Sequence, residues 1–328
     1  MNIPKLTIVL PVYNAKRDLE RFFRSLRVQT LPQSDIELLI IDGGSTDGTI
    51  ELAKKNRAIV VHNPEKLAEP GIWLGCLRAR APIIMIFAAD LIFRDAHALE
   101  IMMKVFRDKR IAAAFPRPDT GPGDTIYSRY INTFTDPFTH FVYGDYANVR
   151  TFPRVYETIE HNTIYDIYDF TANKIMPIMA FAHGFTIRRS RLPKRNENSD
   201  DILVIYDLIK NRSKIAYVHA VTLEHYTIHN TAQFIDKERR AVENALVRGD
   251  SGIMKRSRYL TVGQKIRLYV FFPYALTIII PLLKSIINTV RYRKPIWFAH
   301  WYLSFFAALV ILYTAVPLLI RKSYVQKR

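Results

Sequence analysis

Residues 6–14, Leu-Thr-Ile-Val-Leu-Pro-Val-Tyr-Asn, and residues 41–49, Ile-Asp-Gly-Gly-Ser-Thr-Asp-Gly-Thr, each run from an apolar strand into a turn. Around them, short apolar runs alternate with amphipathic ones. Residues 6–13 form a buried-strand run, and residues 16–28 carry Leu19, Phe22, Phe23 and Leu26 on one helical face. A strand at 36–41 leads into a helix over about 46–56, whose start Ser45, Thr46 and Asp47 can cap. A strand at 58–62, a helix over about 71–80 and a strand at 83–88 follow. Alternation of this kind predicts an α/β fold, with a mostly parallel, doubly wound sheet and helices on both faces.

In such sheets ligands sit beyond the carboxyl ends of the strands. Asn14, Asp42 and Asp90 each fall just past a strand's carboxyl end, which places three polar groups on one rim. The 41–49 string suits a nucleotide cradle: Asp42 can accept from a base or ribose, and Gly43 and Gly44 allow close backbone approach. The next helix start favours phosphate charge. An ordinary strand-to-helix turn with a capping Asp has the same local chemistry.

The chain has 328 residues, 49% hydrophobic and 23% charged, enough to bury a substantial core. Its one cysteine, Cys76, excludes an internal disulfide and points to a reducing compartment. The net charge of +17 is unevenly placed. Residues 1–236 hold 30 Lys/Arg against 27 Asp/Glu, whereas residues 237–328 hold 17 against 3. This basic charge flanks apolar runs instead of spreading over the folded part, which argues for a membrane surface and against nucleic acid. The start of the chain, where Pro11 interrupts a short apolar stretch, does not read as a targeting signal.

Residues 116–182 are rich in Pro, Tyr and Asp without a strong period and read as a loop-rich insertion over the active face. A strand at 181–188, a helix at 200–210 and a strand at 214–223 close the domain, taken as 1–236. Residues 237–267 read as a basic juxtamembrane segment, 268–320 as two hydrophobic membrane segments and 321–328 as a basic tail. Within them, 269–283 is uncharged but contains Pro273 and Pro281. Extended through Lys284 to Val290 it spans, and cut at Lys284 it reads as re-entrant or interfacial, whereas 296–320 is long enough to cross a bilayer unaided.

Pro11–Asn14 taken together with Asp42–Thr49 resembles the family 2 glycosyltransferases, an inverting group with a GT-A fold. The resemblance covers residues 5–115 well and 183–225 more loosely. It implies a nucleotide-diphosphate sugar donor, Mg2+ or Mn2+, and one carboxylate base for an acceptor hydroxyl. By that likeness Pro11, Tyr13, Asn14, Asp42, Gly44 and Asp90 bind the donor. The family's Asp-X-Asp metal motif maps to Ala88-Ala89-Asp90, which keeps a single acid, and His225 is the expected second metal ligand. Asn198-Ser199-Asp200-Asp201 matches the family's acidic pair, so Asp201 is the expected catalytic base. Arg188 and Arg189 match basic residues on the acceptor side.

The combined expectation is a membrane-anchored inverting glycosyltransferase, integral to the membrane with its catalytic domain on the cytoplasmic side and compatible with a homo-oligomer. It would transfer a sugar to a polyprenyl-linked acceptor. Two alternatives stand beside it. One is a polyprenyl-phosphate sugar synthase, although Ala15 stands where those enzymes carry an acid. The other is a catalytically dead homologue acting as a membrane-bound scaffold, suggested by Ala88.

Overall fold

Strand β1 (Leu6–Val12) is apolar at six of seven positions and buried along almost its whole length, as a strand covered on both faces must be. It pairs in parallel with β2 (Ile36–Asp42) on one side and β4 (Ile83–Ile86) on the other, in registers that set Val12 opposite Asp42 and Val9 opposite Ile86. This computed structural model describes residues 3–172, 175–177, 181, 183–193, 201–228, 230–248 and 259–325. The chain divides into two compact units, Met1–Asp119 with Val149–His225, and Thr120–Asn148 with Tyr226–Arg328.

The first unit is built on one sheet. Its further strands are β3 (Ile59–His62), β5 (Leu91–Phe93), β6 (Ile111–Asp119), β7 (Thr158–His161), β8 (Asp166–Tyr168), β9 (Thr186–Arg188) and β10 (Lys214–His225). They lie in the order β3-β2-β1-β4-β9-β6-β10-β8-β7, with β5 attached to β10. The long registers, β3-β2-β1-β4 and β6-β10, are parallel. The sheet is nevertheless mixed, because short β9 runs antiparallel between β4 and β6, and β5, β7 and β8 also pair antiparallel.

Helices cover both faces. On one side α1 (Lys16–Arg27) drives Leu19, Phe22, Phe23 and Leu26 into a core shared with Ile8, Leu10, Phe87 and Phe93. On the other, α3 (Ala68–Arg78) lies so close to β1 that a Cβ on Gly75 would sit 2.2 Å from Val9 Cγ1. Helix α2 (Thr49–Lys55) starts later than its capping residues suggest, because Ser45–Asp47 hold the preceding loop instead. Helices α4 (Ala98–Val105) and α7 (Asp201–Lys210) complete the unit.

The second unit is helical. Residues 116–182 are not one loop-rich insertion. They finish β6, then form α5 (Ile126–Phe134) and α6 (Pro137–Tyr143), and return as β7 and β8. Thr125 and Asp136 cap the two helices through their side chains. These helices pack with α8 (Thr231–Arg248), α9 (Val262–Leu276), α10 (Ile279–Tyr292) and α11 (His300–Val325). Phe134, Phe271 and Trp297 fill the centre, and buried His300 is hydrogen-bonded by Tyr130 at 2.5 Å and Tyr274 at 2.9 Å. Residues 237–248 continue α8 and do not begin a separate juxtamembrane element.

The two hydrophobic membrane segments differ in form. Residues 295–320 make one helical stretch long and apolar enough to span, but α9 and α10 meet at a 100° bend. Pro281 explains the break: a proline ring clashes with the carbonyl four residues back, here Thr277, and removes an N–H from the ladder. Ile278 takes a φ of +58° at the junction.

Gly75→Ala is expected to destabilise the first unit by about 1–3 kcal/mol, the usual cost of overpacking. Urea unfolding followed by tryptophan fluorescence measures it, with Gly263→Ala, where a Cβ meets open space, as the control.

Candidate active site

The carboxyl ends of β1 and β2 are joined by side chains that bond to backbone. Asp42, at 2% exposure, accepts from the Gly44 N–H at 2.9 Å and from the Ser45 N–H at 3.1 Å. Asn14, strained at φ +47°, accepts from the Thr46 N–H at 2.8 Å while its own N–H reaches Ser45 Oγ at 2.8 Å. Asp47 accepts from the Lys16 N–H at 3.0 Å and from the Thr49 N–H at 3.1 Å. Burial works against ionisation of Asp47, but the bonds from Thr49 and Lys16 outweigh it and hold its carboxyl below the usual range. The start of α2 is therefore already occupied by an acid, which corrects the expectation that it is open to phosphate.

Gly44 sits at φ +97°, where a side chain is strained. Above this turn lies Lys66, whose Cα would be 3.5 Å from a Cβ on Gly43 and whose Cε would be 3.9 Å from one on Gly44. Tyr13 is 63% exposed beside the same turn, and Pro11 is half-buried within β1. Exposed backbone, an aromatic face and a cation thus surround the Gly43–Gly44 turn.

Past β4 the chain turns at Asp90 into β5, which pairs antiparallel with the end of β10 and sets Leu91 opposite His225. That pairing brings Asp90 Oδ2 to 3.2 Å from His225 Nε2, although 135 residues separate them in sequence. The imidazole is nearly buried, and the His183 ring lies 4.4 Å from it between centroids. Beside this pair, parallel β6 and β10 set Asp119 opposite Glu224. Arg94 bridges the two carboxylates at 3.1 Å each, and Arg150 donates to the other oxygen of Asp119. Since β2 and β4 flank β1, their ends lie two strand spacings, about 10 Å, apart.

A carboxylate and an imidazole converging on one point fit a divalent cation whose remaining positions go to phosphate oxygens and water. The imidazole suits Mn2+ ahead of Mg2+, which prefers oxygen throughout.

The two basic residues expected on the acceptor side fall elsewhere. Arg188 pairs with Ile83, at the amino end of β4, and its guanidinium donates to the carbonyls of Phe106, Asp108 and Ile111 at 2.7–2.9 Å. Arg189 follows at the same edge, its N–H on the Pro82 carbonyl. Both lie at the opposite end of the strands from Asp42 and Asp90, so neither meets an acceptor at that rim. Asp201 opens α7, but its side chain, like residues 194–200 and His229, lies outside the described residues. Sequence reasoning did not single out Lys66, His183, Arg94 or Asp119. Only the last could have been flagged, as another acid at the end of a strand.

Residues 7–173, 167 of the 328, match the family model described as glycosyl transferase family 2. The chain belongs to this family. It is 30% identical over 142 residues to the O-antigen chain rhamnosyltransferase WbaN of Salmonella anatum, 41% of this chain and 44% of that protein. To RfbN of Salmonella typhimurium, also an O-antigen chain rhamnosyltransferase, it is 29% identical over 126 residues, 36% and 40% of the two chains. The matched region thus spans less than half the length of these relatives. Among solved structures, the mannosyltransferase PcManGT from Pyrobaculum calidifontis, in complex with GDP-Man and Mn2+, superposes with a TM-score of 0.53. Identity there is 14%, over 95% of this chain and 88% of that one. S. aureus TarS 1-349 in complex with UDP gives a TM-score of 0.50 at 14% identity, covering 99% and 92%. At such identities the likeness establishes the fold.

Asp90→Ala and His225→Ala should each weaken Mn2+ binding in the presence of nucleoside diphosphate by at least about tenfold, as loss of a ligand does. Isothermal titration calorimetry reads this directly. Unchanged affinity in both variants would remove the pair from any metal role.

Proposed function

We propose that this protein is an inverting, metal-dependent glycosyltransferase that moves a sugar from a nucleotide-diphosphate donor onto a membrane-bound, polyprenyl-linked acceptor at the cytoplasmic face. The observation that carries the reading is the meeting of Asp90 and His225 on the rim that also holds the Asp42–Gly44 turn. Tyr13, the exposed turn backbone and Lys66 are suited to the nucleoside and its phosphates. Pro11 and Asn14 fix the shape of that pocket, as does Asp42 from within. Asp90 and His225 would hold Mn2+ or Mg2+, which when bound neutralises charge on the diphosphate leaving group.

In the proposed reaction the acceptor hydroxyl attacks the anomeric carbon from the face opposite the diphosphate. Asp201 takes the hydroxyl proton, the new C–O bond forms, and the bond from the sugar to the diphosphate breaks with its electron pair left on oxygen. Asp201 takes the base role from the family likeness of Asn198–Asp201, whereas Asp119 and Glu224 are ion-paired with Arg94 and Asp119 also with Arg150. The WbaN and RfbN likenesses make rhamnose the first sugar to try.

The lipid acceptor and membrane location rest on the second unit. Along α11, Phe306, Leu309, Tyr313, Val316 and Ile320 recur every three or four residues and are all exposed, whereas Leu303, Ser304, Ala307 and Ala308 on the opposite face are buried. Helix α10 exposes Ile279, Ile280, Leu283, Ile286, Ile287 and Val290. Water does not favour so continuous an apolar surface, and hydrocarbon does. In the same unit an open cavity of 660 Å³ is lined by Arg129, Arg293, Lys294 and a single acid, Asp124, beside apolar Ile126, Pro295 and Ile296, a net-basic lining that suits a phosphate on a lipid.

Donor hydrolysis and transfer should be screened across nucleotide-diphosphate sugars, including a rhamnose donor, with Mn2+ and a polyprenyl-linked acceptor in vesicles. Asp201→Asn is expected to abolish transfer while leaving donor affinity within a few-fold, because the amide keeps the shape but cannot take a proton. Near wild-type transfer by that variant would remove Asp201 as base. Absence of Mn2+-dependent turnover with every donor would favour the scaffold alternative.

Full-length protein in membranes should resist extraction by 1 M salt and by alkaline carbonate and yield only to detergent. Surface charge is screened at about 3 Å in 1 M salt. Release by salt alone would overturn the integral reading.

A further inference from the structure

Away from the Asp90–His225 pair, the β7–β8 hairpin and β10 bring together His161, Asp166 and His219. Their nearest ligand atoms all lie within 4.8 Å of one another. His161 Nδ1 is 2.5 Å from Asp166 Oδ1, and His219 Nε2 is 3.9 Å from the same oxygen. The two imidazoles lie nearly parallel, 21° apart, with centroids separated by 6.0 Å.

The surroundings hold these groups in place. Asn162 closes the hairpin, its side chain accepting from the N–H groups of Ile164 and Tyr165 at 2.8 and 2.9 Å. The Ala220 N–H reaches the Ile164 carbonyl at 3.2 Å, tying the hairpin tip to β10 where that strand shifts register against β6. The Tyr168 hydroxyl donates to Asp166 Oδ2 at 3.3 Å, which leaves Oδ1 toward both histidines. A hydrogen-bonded carboxylate of this kind is the usual support of a metal ligand. The Asn162 carbonyl, 3.1 Å from His219 Nε2, is a further oxygen at the same point.

We infer that His161, Asp166 and His219 form a second cation site, selective for Zn2+ or a similar transition metal and separate from the donor-binding metal. Two imidazoles and one carboxylate are a borderline-soft donor set that disfavours Mg2+. Three protein ligands leave a fourth position for water or for the Asn162 carbonyl. In a tetrahedral shell with bonds near 2.0–2.1 Å, neighbouring ligand atoms stand about 3.3 Å apart. Reaching it opens the 2.5 Å His161–Asp166 contact by about 0.8 Å and closes the 3.9 Å gap from Asp166 to His219 by about 0.6 Å. His161 can supply most of that movement, its side chain being 72% exposed. The bound cation would pin the hairpin edge of the sheet to β10. This inference does not rest on the sugar-transfer reading.

The test is Zn2+ titration of full-length, chelator-stripped protein in detergent at pH 7.5, by calorimetry and by competition with a chromophoric chelator. One equivalent is expected to bind at least about a hundredfold more tightly than Mg2+ and to persist in His225→Ala, a substitution outside this cluster. His161→Ala and His219→Ala should each weaken it at least tenfold. His161→Ala is the decisive variant, since an exposed side chain can be removed without unfolding the sheet, and retained circular dichroism verifies this. X-ray absorption should show two imidazoles in the shell. Wild-type zinc affinity in His161→Ala, loss of zinc in His225→Ala, or binding no tighter than Mg2+ would each overturn the site.

Discussion

A buried carboxylate without partners is heavily penalised, and Asp42 escapes that penalty by drawing the backbone of its own loop around it. Its two acceptor oxygens take the Gly44 and Ser45 N–H groups. That closure forces Gly44 into a left-handed conformation and turns Ser45 and Thr46 toward Asn14. Asn14 then fixes the end of β1 against the end of β2, and Asp47 secures the starts of both α1 and α2. Asp42 is therefore the post around which the turn is shaped, with Tyr13 and Lys66 standing beside it.

The charged half of the rim obeys a similar rule. Asp119 and Glu224 are neighbours by strand register, an arrangement that would repel without a cation between them. Arg94 supplies it, and Arg150 adds a second. Asp90, one pairing away, faces His225 instead. The contrast sorts three acids within a short stretch of sheet edge: two neutralised by guanidinium groups, one placed opposite a group that also binds metals.

The parallel core was legible because its physical signals are local. Apolar runs ending in Asn14, Asp42 and Asp90, separated by helices with one apolar face, admit few other arrangements. Asp90 and His225, in contrast, are suggested as metal ligands only by the family resemblance and meet through the β5–β10 pairing. What failed had non-local causes. Arg188 looked like a ligand for anions, yet its position opposite Ile83 is a matter of strand direction, which sequence spacing does not encode. Helices α5 and α6 are hard to read because they are short and bury polar Ser128, Asn132 and Thr139 beside their aromatic residues, which blurs the apolar period. In the apolar tail, composition marks both runs, and Pro281 lies just past the bend that separates α9 from α10.

The pairing of β5 with β10 also has a consequence in time. Residues 7–173 carry the family signature, but His225 stands 52 positions beyond their end. During synthesis the nucleotide turn can close as soon as β2 and β3 have emerged, since all its partners lie within the first 63 residues. The metal pair has to wait for β10, a contact of high sequence separation and correspondingly late formation. A nascent chain therefore passes through a stage in which the Asp42–Gly44 turn can close while Asp90 still lacks the imidazole it faces in the folded protein.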